Sequence, residues 1–142
     1  MVSKNFDQVI KFRHILNNGH IFHFPIVEVS FFPNGIKTNI PLLFDTDAST
    51  TTLRADLFPI LGLQSWNQGV PVNAATASGI ATVYQYQTTI EIFGKSINCP
   101  VFLTQLPHNP LYQGLLGRNT IFDEFGFGFW ESAHELYVTA NP

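Results

Sequence analysis

A chain of 142 residues has room for one domain of ordinary size, since cores rarely outgrow ~250 residues before a chain splits, so a two-lobed enzyme is excluded. Hydrophobic residues make up 45% and charged residues only 12%, with 14 Phe, which supplies ample apolar area for a core, excludes disorder and leaves a surface sparse in charge. A net charge of −3, with seven Lys and Arg scattered from Lys4 to Arg118 and no basic stripe, argues against nucleic acid as a partner.

Residues 1–10 alternate Lys4 and Asp7 with apolar positions and hold no long apolar stretch, so neither a secretory signal nor a membrane span is expected there. With Cys99 as the single cysteine, the chain reads as soluble and cytoplasmic. Short apolar and β-branched runs then recur, broken by Gly, Pro and Asn every ~8–12 residues, which is an all-β pattern. Residues 8–16 and 20–32 flank Asn17-Asn18-Gly19, a turn sequence that tolerates positive φ and suggests a hairpin. A short helix over residues 6–16 is the alternative. Pro33-Asn34-Gly35 turns the chain into a strand over 36–44, whose apolar run Ile40-Pro41-Leu42-Leu43-Phe44 is expected to be buried on both faces. Within 53–63, Arg54 to Leu57 permit one helical turn before Pro59 and Gly62 end it. Residues 70–75 and 81–93 form a long hairpin with Thr76-Ala77-Ser78-Gly79 at a tip expected to be mobile. Phe93-Gly94-Lys95-Ser96 leads into a strand over 97–103, and Pro107 and Pro110 bracket a loop before Leu115-Leu116-Gly117. The last strands fall at 125–130 and 136–139.

The informative stretch is Leu43-Phe44-Asp45-Thr46-Asp47-Ala48-Ser49-Thr50, where a carboxylate follows an apolar strand and precedes small hydroxyl residues. A carboxylate in such a place needs hydrogen bonds or a partner, and its proton affinity is open to tuning, so Asp45 is a candidate for proton-transfer work. An Asp whose side chain caps the Ser and Thr turn is the plainer reading. Asp45 and Asp47 also fall on one face of an extended strand, as oxygen ligands of a divalent cation would, yet no further acidic or His ligand stands beside them and the five histidines show no ligand spacing. His20 and His23 read as turn and strand surface. Cys99, between apolar neighbours, reads as a buried structural thiol, and Ser49 lacks the G-x-S-x-G elbow of a serine hydrolase.

These residues resemble the retropepsin-like aspartic proteases, the single-domain homodimeric relatives of pepsin that include the retroviral proteases. The resemblance spans roughly 24–130. It rests on Leu43-Phe44-Asp45-Thr46-Asp47-Ala48-Ser49, similar to the family's hydrophobic pair followed by Asp-Thr-Gly-Ala-Ser, and on Leu115-Leu116-Gly117-Arg118-Asn119, with a glycine-tipped hairpin between them. It implies an all-β, single-domain, closed barrel-like fold with a flap hairpin and at most one short helix. Residues 1–23 then form an N-terminal extension, a hairpin or short helix, ahead of a protease-like domain over 24–142. The implied activity is peptide-bond hydrolysis without a cofactor or metal, on a peptide or protein substrate. One Asp45 from each of two chains would share a proton, one carboxylate activating water as base while the other donates to the carbonyl oxygen. By the same resemblance Thr46 would cross the dimer interface, Gly117 would lie under the loop of Asp47, Ala48 and Ser49, and Arg118 would tie its strand to that loop. Ala77, Ser78 and Gly79 would form the flap tip over substrate, and Tyr84 and Tyr86 would line the cleft or simply fill core.

Asp47 stands where the family has Gly. A side chain there obstructs a backbone that must meet both substrate and dyad, and a further carboxylate adds negative charge beside the pair. A catalytically inactive module of the same fold, used for peptide binding or dimerisation, is therefore the alternative reading.

Overall fold

The computed structural model describes residues 6–76 and 79–142. Among them the chain is overwhelmingly β, with strands β1 (Gln8–Lys11), β2 (Arg13–Asn17), β3 (His20–Phe24), β4 (Ile26–Phe31), β5 (Thr38–Phe44) and β6 (Thr51–Arg54) in its first half. β7 (Val70–Thr76), β8 (Gly79–Ile92), β9 (Lys95–Thr104) and β10 (Gly114–Leu116) follow, then a single turn of helix, α1 (Ile121–Glu124), and finally β11 (Phe125–Trp130) and β12 (Glu135–Ala140).

Turn chemistry sets the local pairing. Asn18 (φ 51°) and Gly19 (φ 78°) are both left-handed, the backbone of a two-residue hairpin turn whose twist matches the strands it joins, and β2 pairs with β3 from Asn17↔His20 to Arg13↔Phe24. Pro33-Asn34-Gly35 makes the expected turn, as a short 3-10 segment. The expected helical turn is a 3-10 segment, Ala55–Leu61, that ends at left-handed Gly62.

Three expectations are corrected. The run over 8–16 is two strands, because Phe12 is buried and its N–H bonds to the His134 carbonyl, which diverts the chain. Its first half pairs with β12, its second with β3, and no helix forms. The run over 20–32 is likewise split, at Pro25, which has no N–H for a ladder but accepts the Phe44 N–H. Along β5 only Ile40, Leu42 and Phe44 are buried; Pro41 and Leu43, on the other face, are partly exposed, so the run is not buried on both sides.

Seven strands form one sheet in the order β4-β5-β10-β6-β9-β8-β7, and β4 also meets β8 at Ser30↔Glu91, so the sheet curls partly closed. Short β10 lies between β5 and β6, parallel to the first (Leu116↔Phe44) and antiparallel to the second (Leu115↔Thr52). β1, β12 and β11 make a second sheet, and β2 and β3 a separate two-stranded one. Residues 8–11 of the expected N-terminal extension are thus woven into a sheet with the C-terminal strands, while 13–24 stand apart as a hairpin.

Val29, Phe31, Leu42, Leu53, Val101 and Leu116 are wholly buried inside the curled sheet. The abundant Phe has a place there: Phe44 meets Phe127 (4.7 Å between ring centroids) and Phe122 (5.7 Å), and Phe93 meets Phe125 at 5.1 Å, so the end of β5 is clamped in an aromatic cluster. No helix among the described residues is long and apolar enough to cross a membrane.

Candidate functional site

Asp45 follows the clamped Phe44 and stands where the parallel strands β5 and β10 end together, its N–H donating to the Leu116 carbonyl at 3.1 Å. The chain then folds back on the acid. The Asp45 carbonyl accepts the Ala48 N–H (3.2 Å), and its Oδ1 accepts the Asp47 N–H (3.0 Å), the hydrogen bond by which Asp orders its own turn. Oδ2 carries no hydrogen bond among the described residues. The capping role and a chemical role are therefore compatible, one oxygen for each. Asp45 is half-buried and not sealed away, because the strand before it is covered on one face only.

A second segment is zipped to this loop. The Arg118 N–H donates to the Ala48 carbonyl (2.9 Å), the Asn119 N–H to that of Ser49 (2.8 Å), and the Gly117 N–H to Thr51 Oγ1 (3.1 Å) in the buried interior. The approach leaves no room for a side chain at 117, where a Cβ would lie 2.7 Å from the Thr50 nitrogen and closer still to its carbonyl carbon and oxygen. Arg118 ties the segments through its main chain; its guanidinium is exposed and enters no ion pair among the described residues. Thr46, Asp47 and Ser49 are exposed and Ala48 half-buried.

Asp47 has none of the left-handed backbone that would call for Gly, so the loop accepts it without conformational strain. Strain lies nearby instead: Thr120, just beyond the zipped segment, has φ 71° and ψ −44°, costly for a β-branched residue at ~1–3 kcal/mol, and its carbonyl accepts the Asp123 and Glu124 N–H groups that start α1. Beneath the loop Cys99 is wholly buried, and burial pushes its thiol up to about 11 against an opposing hydrogen bond from Thr51. It stays protonated near neutral pH and is no nucleophile.

Of the expected flap tip, Ala77 and Ser78 lie outside the described residues, and so does the expectation of mobility there; Gly79 opens β8 opposite Thr76. Tyr84 and Tyr86 are half-buried, and Tyr86 packs against the hydrophobic core. The Tyr86 hydroxyl donates to the Trp66 carbonyl (2.6 Å) and accepts the Gly69 N–H (2.8 Å), while Tyr84 meets the Trp66 ring edge-on at 5.0 Å. Both pin the base of the β7–β8 arm to the turn before it.

Two hollows share the loop between β9 and β10. One of about 170 Å³ is lined by Leu106, Pro107, Tyr112 and Leu115 among others, and one of about 380 Å³ by Arg54, Asp56, Phe58, Trp66 and His108. Asp45 lines neither. Among the described residues no group of three or more His, Cys, Asp and Glu converges as a metal site requires.

The sequence reading missed a histidine cluster. His23 stacks on His134 at 3.6 Å with the rings 6° apart, and His14 lies 5.7 Å from His23. Half of it was encoded locally, because a two-residue turn at Asn18-Gly19 forces His14 opposite His23. His134 arrives only through the tertiary fold. No protein-family model matches this chain, and no curated protein shows significant similarity to it.

Proposed function

We propose that this chain is an aspartic endopeptidase of the retropepsin-like kind, in which Asp45 from each of two copies makes a dyad across a homodimer. The observation that carries this reading is the junction at Asp45: a carboxylate with one oxygen spent on its own turn and the other unbonded among the described residues, at the shared end of two strands, fixed by main-chain bonds to Leu116, Arg118 and Asn119. A rigid acid is what proton transfer to a positioned carbonyl requires. The partly closed sheet, the short strand inserted between β5 and β6, the long β7–β8 arm and the strained Thr120 beside the loop all fit it.

In the proposed reaction one carboxylate of the pair takes a proton from water as the water oxygen attacks the peptide carbonyl, and the protonated partner gives its proton to the carbonyl oxygen. Collapse of the tetrahedral intermediate passes a proton to the leaving amine and restores the singly protonated pair.

The inactive peptide-binding or dimerisation module is favoured by one observation: Asp47 exposes a second carboxylate two residues from the first. The two readings separate in a cleavage assay on a mixed peptide library across pH 4 to 8, run on the native chain, Asp45→Asn and Asp47→Gly. We expect cleavage that peaks below neutral pH, is lost in Asp45→Asn, and rises in Asp47→Gly by ~10-fold, which corresponds to ~1.4 kcal/mol of barrier. Undiminished cleavage by Asp45→Asn moves the chemistry elsewhere, and silence from all three proteins supports the binding module.

A further inference from the structure

The β2–β3 hairpin is the part of the molecule with the least to hold it. Its strands pair only with each other. It leaves the body at Phe12, which is anchored by burial and by its N–H bond to the His134 carbonyl, and returns at Pro25, whose carbonyl accepts the Phe44 N–H. Between these anchors Leu16, Ile21 and Phe22 are exposed, and a hollow of about 430 Å³ separates the hairpin from the loop at Asn109, Pro110 and Leu111. What touches the body is the base, where Arg13 pairs with Glu28 of β4 at 2.6 Å and the His23 ring lies flat on that of His134, in the turn between β11 and β12.

Two imidazoles stacked face to face at 3.6 Å attract as neutral rings and repel as imidazolium ions, and a third ring, His14, closes in from the neighbouring strand. Parallel rings aim their nitrogens outward in their own planes and not at a common point, so the cluster suits no metal ion. We propose that His23, His134 and His14 form an acid-sensitive latch: neutral, they hold the β2–β3 hairpin against the 131–134 turn, and protonation releases it.

The charged surroundings do little to offset such repulsion. From the turn, Glu131 favours the protonated form of His23; from β4, Glu28 is engaged by Arg13 of β2 at 2.6 Å; and from β12, Glu135 is engaged by Lys11 of β1 at 3.1 Å. Burial first, then His134 and His14, hold His23 below its ordinary 6.5, and Glu131 opposes them in part. The sign follows. A released His23 binds protons more readily than a latched one, so latching is complete above pH 6.5 and weakens as pH falls below it, by up to ~10-fold per pH unit for each proton taken up. This inference does not rest on any peptidase activity.

Hydrogen exchange on the whole chain at pH 7.5 and pH 5, corrected for the intrinsic rates, tests it. Protection over residues 13–24 should fall by ~10-fold or more at pH 5 while that of β9 is kept, and the pH dependence should vanish in His23→Phe, which retains a flat ring without a charge. His134→Asn serves as a second variant, because Asn tolerates the left-handed backbone at 134 (φ 53°). In the native chain the His23 ring proton should titrate below pH 6.5 and move upward in His134→Asn. Equal protection at the two pH values, the same acid loss in both variants, loosening that spreads equally to β9, or a His23 midpoint unmoved by His134→Asn would each overturn the latch.

Discussion

Gly117 shows how a single hydrogen atom decides the junction at Asp45. A methyl at this position meets the main chain of Thr50, which is held on one side by the Arg118 and Asn119 N–H bonds to the Ala48 and Ser49 carbonyls and on the other by the Gly117 N–H bond to Thr51 Oγ1, and has no slack to give. Gly117→Ala should push the two segments apart and weaken the bond from the 117 N–H to Thr51 Oγ1, costing ~2 kcal/mol or more, as overpacking and a lost buried hydrogen bond add. A urea midpoint unchanged from the native chain would show that the zip is softer than drawn. Much at this scale was legible. The turn that Asp45 caps was legible because its cue is local, a carboxylate after an apolar strand and before hydroxyl residues. The half-exposure of Asp45 was not legible, since it depends on which face of β5 the rest of the sheet covers, and neither was the ease with which Asp47 fits its backbone. Cys99 was readable as structural from its neighbours alone, and burial explains why its thiol is held so high.

Elements set by turns were foreseen well, and elements set by distant partners were not. Asn18-Gly19 and Pro33-Asn34-Gly35 carry their geometry in their letters. By contrast the break at Phe12, and the insertion of β10 between β5 and β6, follow from pairings that no local pattern encodes, whereas the break at Pro25 was written in a residue that has no N–H for a ladder. Tyr84 and Tyr86 were placed on one face of their strand by the period of two, yet their task depends on the turn at 66–69. Gly69 packs so closely that a Cβ would lie 2.7 Å from the Tyr86 ring, and the Tyr86 hydroxyl satisfies both Gly69 and Trp66. Removing that hydroxyl orphans a donor and an acceptor that are partly buried, at ~1–3 kcal/mol, and the loss falls on the base of the arm and not on the core. Tyr86→Phe should therefore speed amide exchange in β7 by ~10-fold with β9 unaffected. If β7 exchanges at the native rate, water replaces the phenol freely and the arm is pinned by its ladder alone.

At the scale of the whole molecule the proposed chemistry asks for more than one chain supplies. Asp45 stands at a strand end with no hydrogen bond to its Oδ2 among the described residues, outside both hollows beside the loop between β9 and β10, and the single motif Asp45-Thr46-Asp47-Ala48-Ser49 offers one such acid per chain. A dyad and an enclosing cleft then need a second copy, and a two-fold axis beside Asp45 brings the same residue from each side. The surface is suited to self-association, with charge sparse at 12% of residues and Val70, Ile80, Phe129 and Trp130 at 45% exposure or more. Chains of net charge −3 repel only weakly, and that repulsion is screened beyond ~8 Å at physiological salt, so apolar contact decides the balance. Sedimentation equilibrium from ~1 to ~100 μM should resolve a reversible dimer, whose dissociation constant in this range corresponds to about −5.5 to −8.2 kcal/mol. Like charges held together at the axis oppose association, so Asp45→Asn, which removes both, should dimerise more tightly than the native chain. A monomer throughout that range would remove the dyad and with it the proposed peptidase; a dimer whose strength ignores Asp45→Asn would place the axis away from Asp45.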